Sequence, residues 1–143
     1  MQSGSDFRAA LGKWADKVGE QADGLARQVC QEMGYRVVLA TPVDTGFLRG
    51  MWQPTIGDVA SFAPKAVNMA AGPDVSLVCA GIKAGDVFNM ANGTAYARRL
   101  EYGFVGKDSL GRTYNQVGRY YVRDTVAKFR EVVDEAAAGM GLK

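Results

Sequence analysis

The stretch Phe7–Met33, FRAALGKWADKVGEQADGLARQVCQEM, decides how this chain folds. Phe7, Leu11, Trp14, Val18, Ala22, Leu25, Val29 and Met33 recur every three or four residues, with Arg8, Lys13, Asp16, Lys17, Glu20, Gln21, Asp23 and Arg27 between them. That spacing puts the apolar side chains along one side of an α-helix. Ser3 or Ser5 can cap its start, and Pro42 ends it by Thr41. About 30 residues of helix span some 45 Å at 1.5 Å per residue. A compact domain of 143 residues has a radius of gyration of only about 14 to 15 Å, so the helix overhangs its core. Gly12, Gly19 and Gly24 each weaken it by roughly 1 kcal/mol relative to alanine, so packing must sustain it. One outcome is a helix on a sheet with a frayed start. The near-heptad spacing favours the other, an outer half packed on a neighbouring subunit, with Leu11, Trp14, Val18 and Leu25 at the contact.

Beyond the helix lies Thr41-Pro42-Val43-Asp44-Thr45-Gly46-Phe47-Leu48-Arg49-Gly50-Met51-Trp52. Pro42 fixes φ, Asp44 can cap the next turn, Gly46 relaxes the backbone, and Leu48 and Trp52 offer apolar surface. A capped turn leading into a strand is expected, with Arg49 free to pair with a carboxylate or an exposed carbonyl. Further on, Val75–Ile82 is an apolar run between Gly72-Pro73-Asp74 and Lys83-Ala84-Gly85-Asp86, which reads as a strand between two turns. Residues 86–90 read as a second strand forming an antiparallel hairpin with it. Residues 62–71 fit either a short helix opened by Pro64 or a broken strand, with the alanines favouring the helix.

A second distinctive stretch is Tyr96-Ala97-Arg98-Arg99-Leu100-Glu101-Tyr102-Gly103. It reads as a short helix from Ala95 to Tyr102, stopped by Gly103, with Glu101 placed to pair with Arg98 or Arg49. A carboxylate beside arginines, without a histidine or a second close carboxylate, is no active site. From Phe104 to Arg123 the chain then carries Lys107, Arg112, Arg119 and Arg123 against a single acid, Asp108, with Tyr114, Tyr120 and Tyr121 interleaved. Asp108–Arg112 reads as a loop tip, and such a segment can follow a phosphate backbone without reading sequence. A last helix is expected from about Gly118 to Ala136, apolar at Tyr121, Val122, Val126, Phe129, Val132, Val133 and Ala136, and stopped by Gly139 and Gly141.

Composition narrows the functional classes. The 17 basic and 15 acidic side chains leave a net charge of +2, too small for binding nucleic acid by bulk charge. The chain has no histidine, which removes Ser-His-Asp and Cys-His catalysis and histidine metal sites. Cys30 and Cys79 stand far apart in apolar surroundings and read as buried free thiols. No phosphate-binding glycine loop of the G-x-x-x-x-G-K-[ST] type is present, so a small hydrolase is the weakest reading. Neither a secretory leader nor an apolar run of about 20 residues is present, so no membrane partner is expected. No cofactor, metal or enzymatic activity is expected either.

The two stretches around Asp44-Thr45-Gly46 and Glu101 resemble the pattern P-x-D-T-G-x-L-R followed by Y-A-x-x-x-E-x-G. That pattern marks a family of small tail-component proteins at the neck of long-tailed bacteriophages. Asn89, Tyr96, Ala97, Glu101 and Gly103 fit its second half, whereas Met51 stands where the family carries a small polar residue, and the basic loop exceeds the family minimum. The resemblance spans roughly residues 5 to 137. It implies a structural virion protein that completes the tail or joins it to the head, formed in the host cytoplasm and placed at the neck. It implies a six- or twelve-fold ring around the DNA channel, between head-closure proteins and the tail terminator or tail tube. Asp44, Arg49 and Glu101 would join the helix residues at interfaces, while Lys107, Arg112 and Arg119 would face passing DNA or an acidic partner. The alternative is a small nucleic-acid-binding module built on the basic loop. The fold expected is α+β in a single domain over residues 1–143: a long N-terminal and a C-terminal helix on a small, mostly antiparallel sheet, with a short helix and a basic loop inserted.

Overall fold

The computed structural model describes residues 3–43, 46–59 and 71–142, without the side chains of 71–73. The fold is α+β. Helix α1 runs from Gly4 to Ala40, 37 residues, and opens with a capping box. The Ser3 hydroxyl accepts from the Asp6 amide while the Asp6 carboxylate accepts from the Ser3 amide, so two otherwise unpaired donors are satisfied. One turn, α2 (Phe47–Gly50), follows and leads into strand β1 (Trp52–Ile56). Gly46 begins that turn at φ 87°, a conformation that glycine adopts without a Cβ clash.

Strand β1 pairs antiparallel with β2 (Phe88–Asn92), Trp52 opposite Asn92 and Ile56 opposite Phe88. The partner expected for β2 is therefore wrong. Val75–Ile82 is not a strand but the end of helix α3 (Ala71–Cys79) and the turn after it. Val75, Cys79 and Ile82, four and three residues apart, are all but fully buried, while Leu77 is 77% exposed. A strand would have put Leu77 on the same face as Val75 and Cys79. The Gly72-Pro73-Asp74 segment belongs to this helix rather than to a turn. The turn at Lys83–Asp86 is present, with the Asp86 carboxylate accepting from the Lys83 amide at 2.8 Å. The ambiguous segment 62–71 lies outside the described residues except for its last position.

After β2 come α4 (Ala97–Tyr102), β3 (Gly103–Lys107) and β4 (Thr113–Val117). The last two form a second antiparallel pair, separate from the first. The expected C-terminal helix is two, α5 (Tyr121–Val126) and α6 (Phe129–Gly139). The break lets each bury its own stripe. Tyr121 joins Val37, Val38, Trp52, Val75, Cys79 and Ile82 in the main core. Val132 and Ala136 pack instead on Val29, Leu25 and Met33 of α1.

Three polar tethers fix α1 along α3 and the loop after it. Gln31 donates to the Ser76 hydroxyl, Arg27 to the Ile82 carbonyl, and the Ala84 amide to the Asp23 carboxylate, at 2.9 to 3.2 Å. Close packing adds to them: a Cβ on Gly34 would stand 2.6 Å from Val75 Cγ1, so α1 and α3 touch at the backbone of α1.

Candidate functional site: two fastened helix ends and an uncovered helix face

The last turn of α1 carries no basic residue of its own. Its carbonyls are met by Arg49, whose Nη2 donates to the Leu39 oxygen at 2.9 Å and to the Thr41 oxygen at 3.1 Å. A guanidinium at a helix C-terminus is stabilised by the negative end of the helix dipole and by direct bonds to unpaired carbonyls. Around it, the Thr41 hydroxyl donates to the Val37 carbonyl at 2.6 Å and accepts from Trp52 Nε1 at 2.8 Å. Asn92 Nδ2 donates to the Leu48 carbonyl at 2.7 Å, tying α2 to the end of β2. Of the two pairings open to Arg49, the carbonyl one is realised.

Glu101 does the opposite job at the opposite kind of helix end. Its two carboxylate oxygens accept from the amides of Val122 and Arg123, each at 2.9 Å, and so cap the N-terminus of α5 from a different element. The residue before α5, Tyr120, offers no side-chain cap and sits at φ 51°. The Tyr120 amide donates to the Glu101 carbonyl at 3.0 Å and the Tyr121 hydroxyl to the Ala97 carbonyl at 3.1 Å. Burial first, and the Glu101 charge second, push the Tyr121 phenol above its ordinary pKa. The expected pairing of Glu101 with Arg98 or Arg49 is not formed, because both oxygens already have amide partners and the residue is only 5% exposed. Arg49 and Glu101 thus each fasten a helix end of their own chain. Asp44 lies outside the described residues.

The two distinctive stretches meet in an open cleft of about 340 Å³ lined by Pro42, Val43, Phe47, Leu48, Tyr96 and Leu100, with Arg119 beside them. The cations expected to face DNA, Lys107, Arg112 and Arg119, are all exposed, and Lys107 and Arg119 have no ion pair among the described residues. Arg112 is bound to Asp108, its Nε at 2.6 Å, at the tip of the β3–β4 hairpin. Asp108 also accepts from the amides of Leu110 and Arg112 and from the Tyr114 hydroxyl. Partial burial would raise its pKa, but these bonds outweigh it and hold the carboxyl below its ordinary value. Cations on either side of this segment are also engaged: Arg99 lies 4.0 Å over the Phe104 ring and Arg123 3.8 Å over Tyr120.

The helix residues expected at subunit contacts divide. Leu25 is half-buried and packs within the chain against Val29, Val132 and Ala136. Leu11, Trp14 and Val18 are 52%, 63% and 43% exposed, and Phe7 is 66% exposed. Every residue from Gly4 to Glu20 is exposed, a length of about 25 Å. Thr41, which ties the end of α1 to Trp52, and Asn92, which ties α2 to β2, hold the first stretch in place and are not marked as such in the sequence. Their partners lie up to 44 residues away, so no local pattern marks them.

Cys30 and Cys79 are free thiols, the first half-buried and the second fully buried. Among the described residues no group of three or more cysteine or acidic side chains is placed to hold a metal ion, and no helix is long and apolar enough to cross a membrane. Compared with known protein families, curated proteins and solved structures, the chain matches none of them.

Proposed function

We propose that the chain is a structural component of the neck of a long-tailed bacteriophage, a tail-completion or head-to-tail joining protein that works as a ring around the DNA channel. The observation that carries this reading is the uncovered apolar line Phe7, Leu11, Trp14 and Val18 on a helix held firmly at its other end. An uncovered apolar face of this kind marks an interaction surface, and a neighbouring subunit would cover it. The two motifs behind the resemblance fit the same role, since the charged side chains Arg49 and Glu101 are spent on fastening helix ends. In this reading the protein is not an enzyme and needs no cofactor. Its partners are further copies in six- or twelve-fold array, head-closure proteins on one side and the tail terminator or tube on the other. Lys107 and Arg119 are the cations left for loose contact with passing DNA.

The test is a gene deletion combined with electron microscopy of assembled particles. Neck density that fits the subunit, together with separated heads and tails in the deletion, is the expected outcome. Normal virions without the gene would overturn the reading.

A further inference from the structure

Resting on the reading of the chain as a ring component, we infer that the overhang of α1 docks on the α5–α6 side of a second copy, a contact between two unlike surfaces. The apolar stripe of α1 widens along its length while its period stays the same. Phe7, Leu11, Trp14 and Val18, at steps of four, three and four, form one narrow seam, whereas the inner half carries Leu25, Val29 and Met33 against α6 and, beside them, Ala26, Cys30, Val37 and Val38 against the main core. Helix α6 covers the first of these two lines and stops beside Gly24, where a Cβ would stand 3.3 Å from Met140 Cε. The seam begins where the cover ends. It is therefore shaped for another element, and nothing within the described residues reaches it.

The charge pattern selects the occupant. In heptad terms the positions flanking the seam are Arg8, Ala10, Ala15 and Lys17, so its edges carry cations and no acid. Two seams laid against each other would bring like charges together at their edges, and a surface with unpaired acids is the better match. A bilayer is a poor match, because Gly4–Glu20 holds three cations and three acids and gains no net attraction to anionic lipid.

This chain carries a matching surface. Between α1, β1–β2 and α5 lies an apolar groove of about 220 Å³, lined by Gly34, Trp52, Phe88, Met90, Val122 and Val126 among others. It is smaller than the roughly 300 to 1,000 Å³ of small-molecule sites, and has room for a large side chain such as Trp14. Beside it Val126 and Phe129 are 59% and 52% exposed. Helix α6 adds Glu131, Asp134 and Glu135 against Arg130. Lys128 engages Glu131 and Arg36 engages Glu135, while no ion pair involves Asp134 among the described residues. An apolar knob on one part of a chain and an apolar slot on another produce head-to-tail association, which closes into a ring when the rotation allows.

The test uses sedimentation velocity on the full chain and two variants at exposed positions, Trp14→Ser and Val126→Asp, each checked for native helicity. The wild type is expected to associate with rising concentration, and each variant alone to bind itself about thirtyfold more weakly or less. An equimolar mixture is expected to form a heterodimer with wild-type affinity, because one intact seam then meets one intact slot. A wild type monomeric up to its solubility limit overturns the proposal. So does Val126→Asp associating like the wild type, which would place seam on seam, and so does a mixture that forms no heterodimer. Trp14-dependent co-sedimentation of a monomeric wild type with phosphatidylcholine vesicles would make the occupant a bilayer and also overturns it. Head-to-tail association with normal virions in the deletion leaves the contact standing and removes the neck role alone.

Discussion

The two halves of α1 share one apolar period and have opposite fates. From Gln21 to Ala40 the helix is held by Val75, Cys79, Tyr121, Val132 and Ala136 and by three polar tethers. From Gly4 to Glu20 it touches none of them, and its largest side chains face outward. Periodicity records which side of a helix is to be covered. It does not record whether the cover comes from the same chain.

The contrast can be broken at several points. The largest expected effect is in the docked region: Glu101→Ala leaves two amides at the start of α5 without their acceptor and should lower stability by about 2 to 4 kcal/mol in chemical denaturation. Glu101→Gln, which keeps one acceptor, should lose less. Gly34→Ala pushes α1 off Val75 and should cost about 1 to 3 kcal/mol; a neutral result would mean that α1 and α3 are not in backbone contact.

Beneath the docked half, burial first and nearby Cys30 second push the Cys79 thiol from an ordinary 9.0 up to about 11. The folded chain keeps a proton that the unfolded chain releases in that window. Stability should therefore be complete below pH 9 and fall as pH rises toward 11, and Cys79 should resist thiol reagents at pH 8 until the protein unfolds. A Cys79→Ala control should flatten that part of the pH profile.

The smallest effects belong to the overhang of the monomer. Trp14→Ser should change its stability by less than about 0.5 kcal/mol. Gly12→Ala, with no atom within 4 Å of the new Cβ, should strengthen the helix by up to about 1 kcal/mol. Hydrogen exchange at Gly4–Glu20 should be much faster than at Val29–Val38. A large loss on Trp14→Ser in a monomer would mean that the seam is already covered, and the contrast would vanish.

Sequence made α1, the helix at Ala97–Tyr102 and the loop tip at Asp108 readable, because each is set by neighbours within a few residues, whereas the strands β3 and β4 on either side of that tip were expected only as a loop. Val75–Ile82 was not readable in this way. A short, almost wholly apolar run satisfies a period of two as well as 3.6, and only the contacts made by Val75, Cys79 and Ile82 decide between them. With α3 taken as a strand, β2 acquired the wrong partner. The charged site residues failed for a different reason. Arg49 and Glu101 could be singled out, but their partners are backbone groups at helix ends brought close by the fold, and a backbone group leaves no letter in the sequence.

Gly103 and Gly118 have a practical consequence. A Cβ on either would come within 2.6 Å of backbone oxygen, that of Gln116 or of Glu101, so the chain entering the β3–β4 hairpin and the chain leaving it cross in direct contact. Bonds from Arg119 N to the Leu100 oxygen and from Tyr120 N to the Glu101 oxygen close the crossing. Both feet of the hairpin are thus pinned together, and the entropy of closing a loop between pinned feet grows only slowly with its length. The tip at Ser109–Gly111 can accordingly be lengthened, exchanged or fitted with a label while α4 and α5 keep their places, making it a natural point of variation for the molecule and a handle for the experimenter.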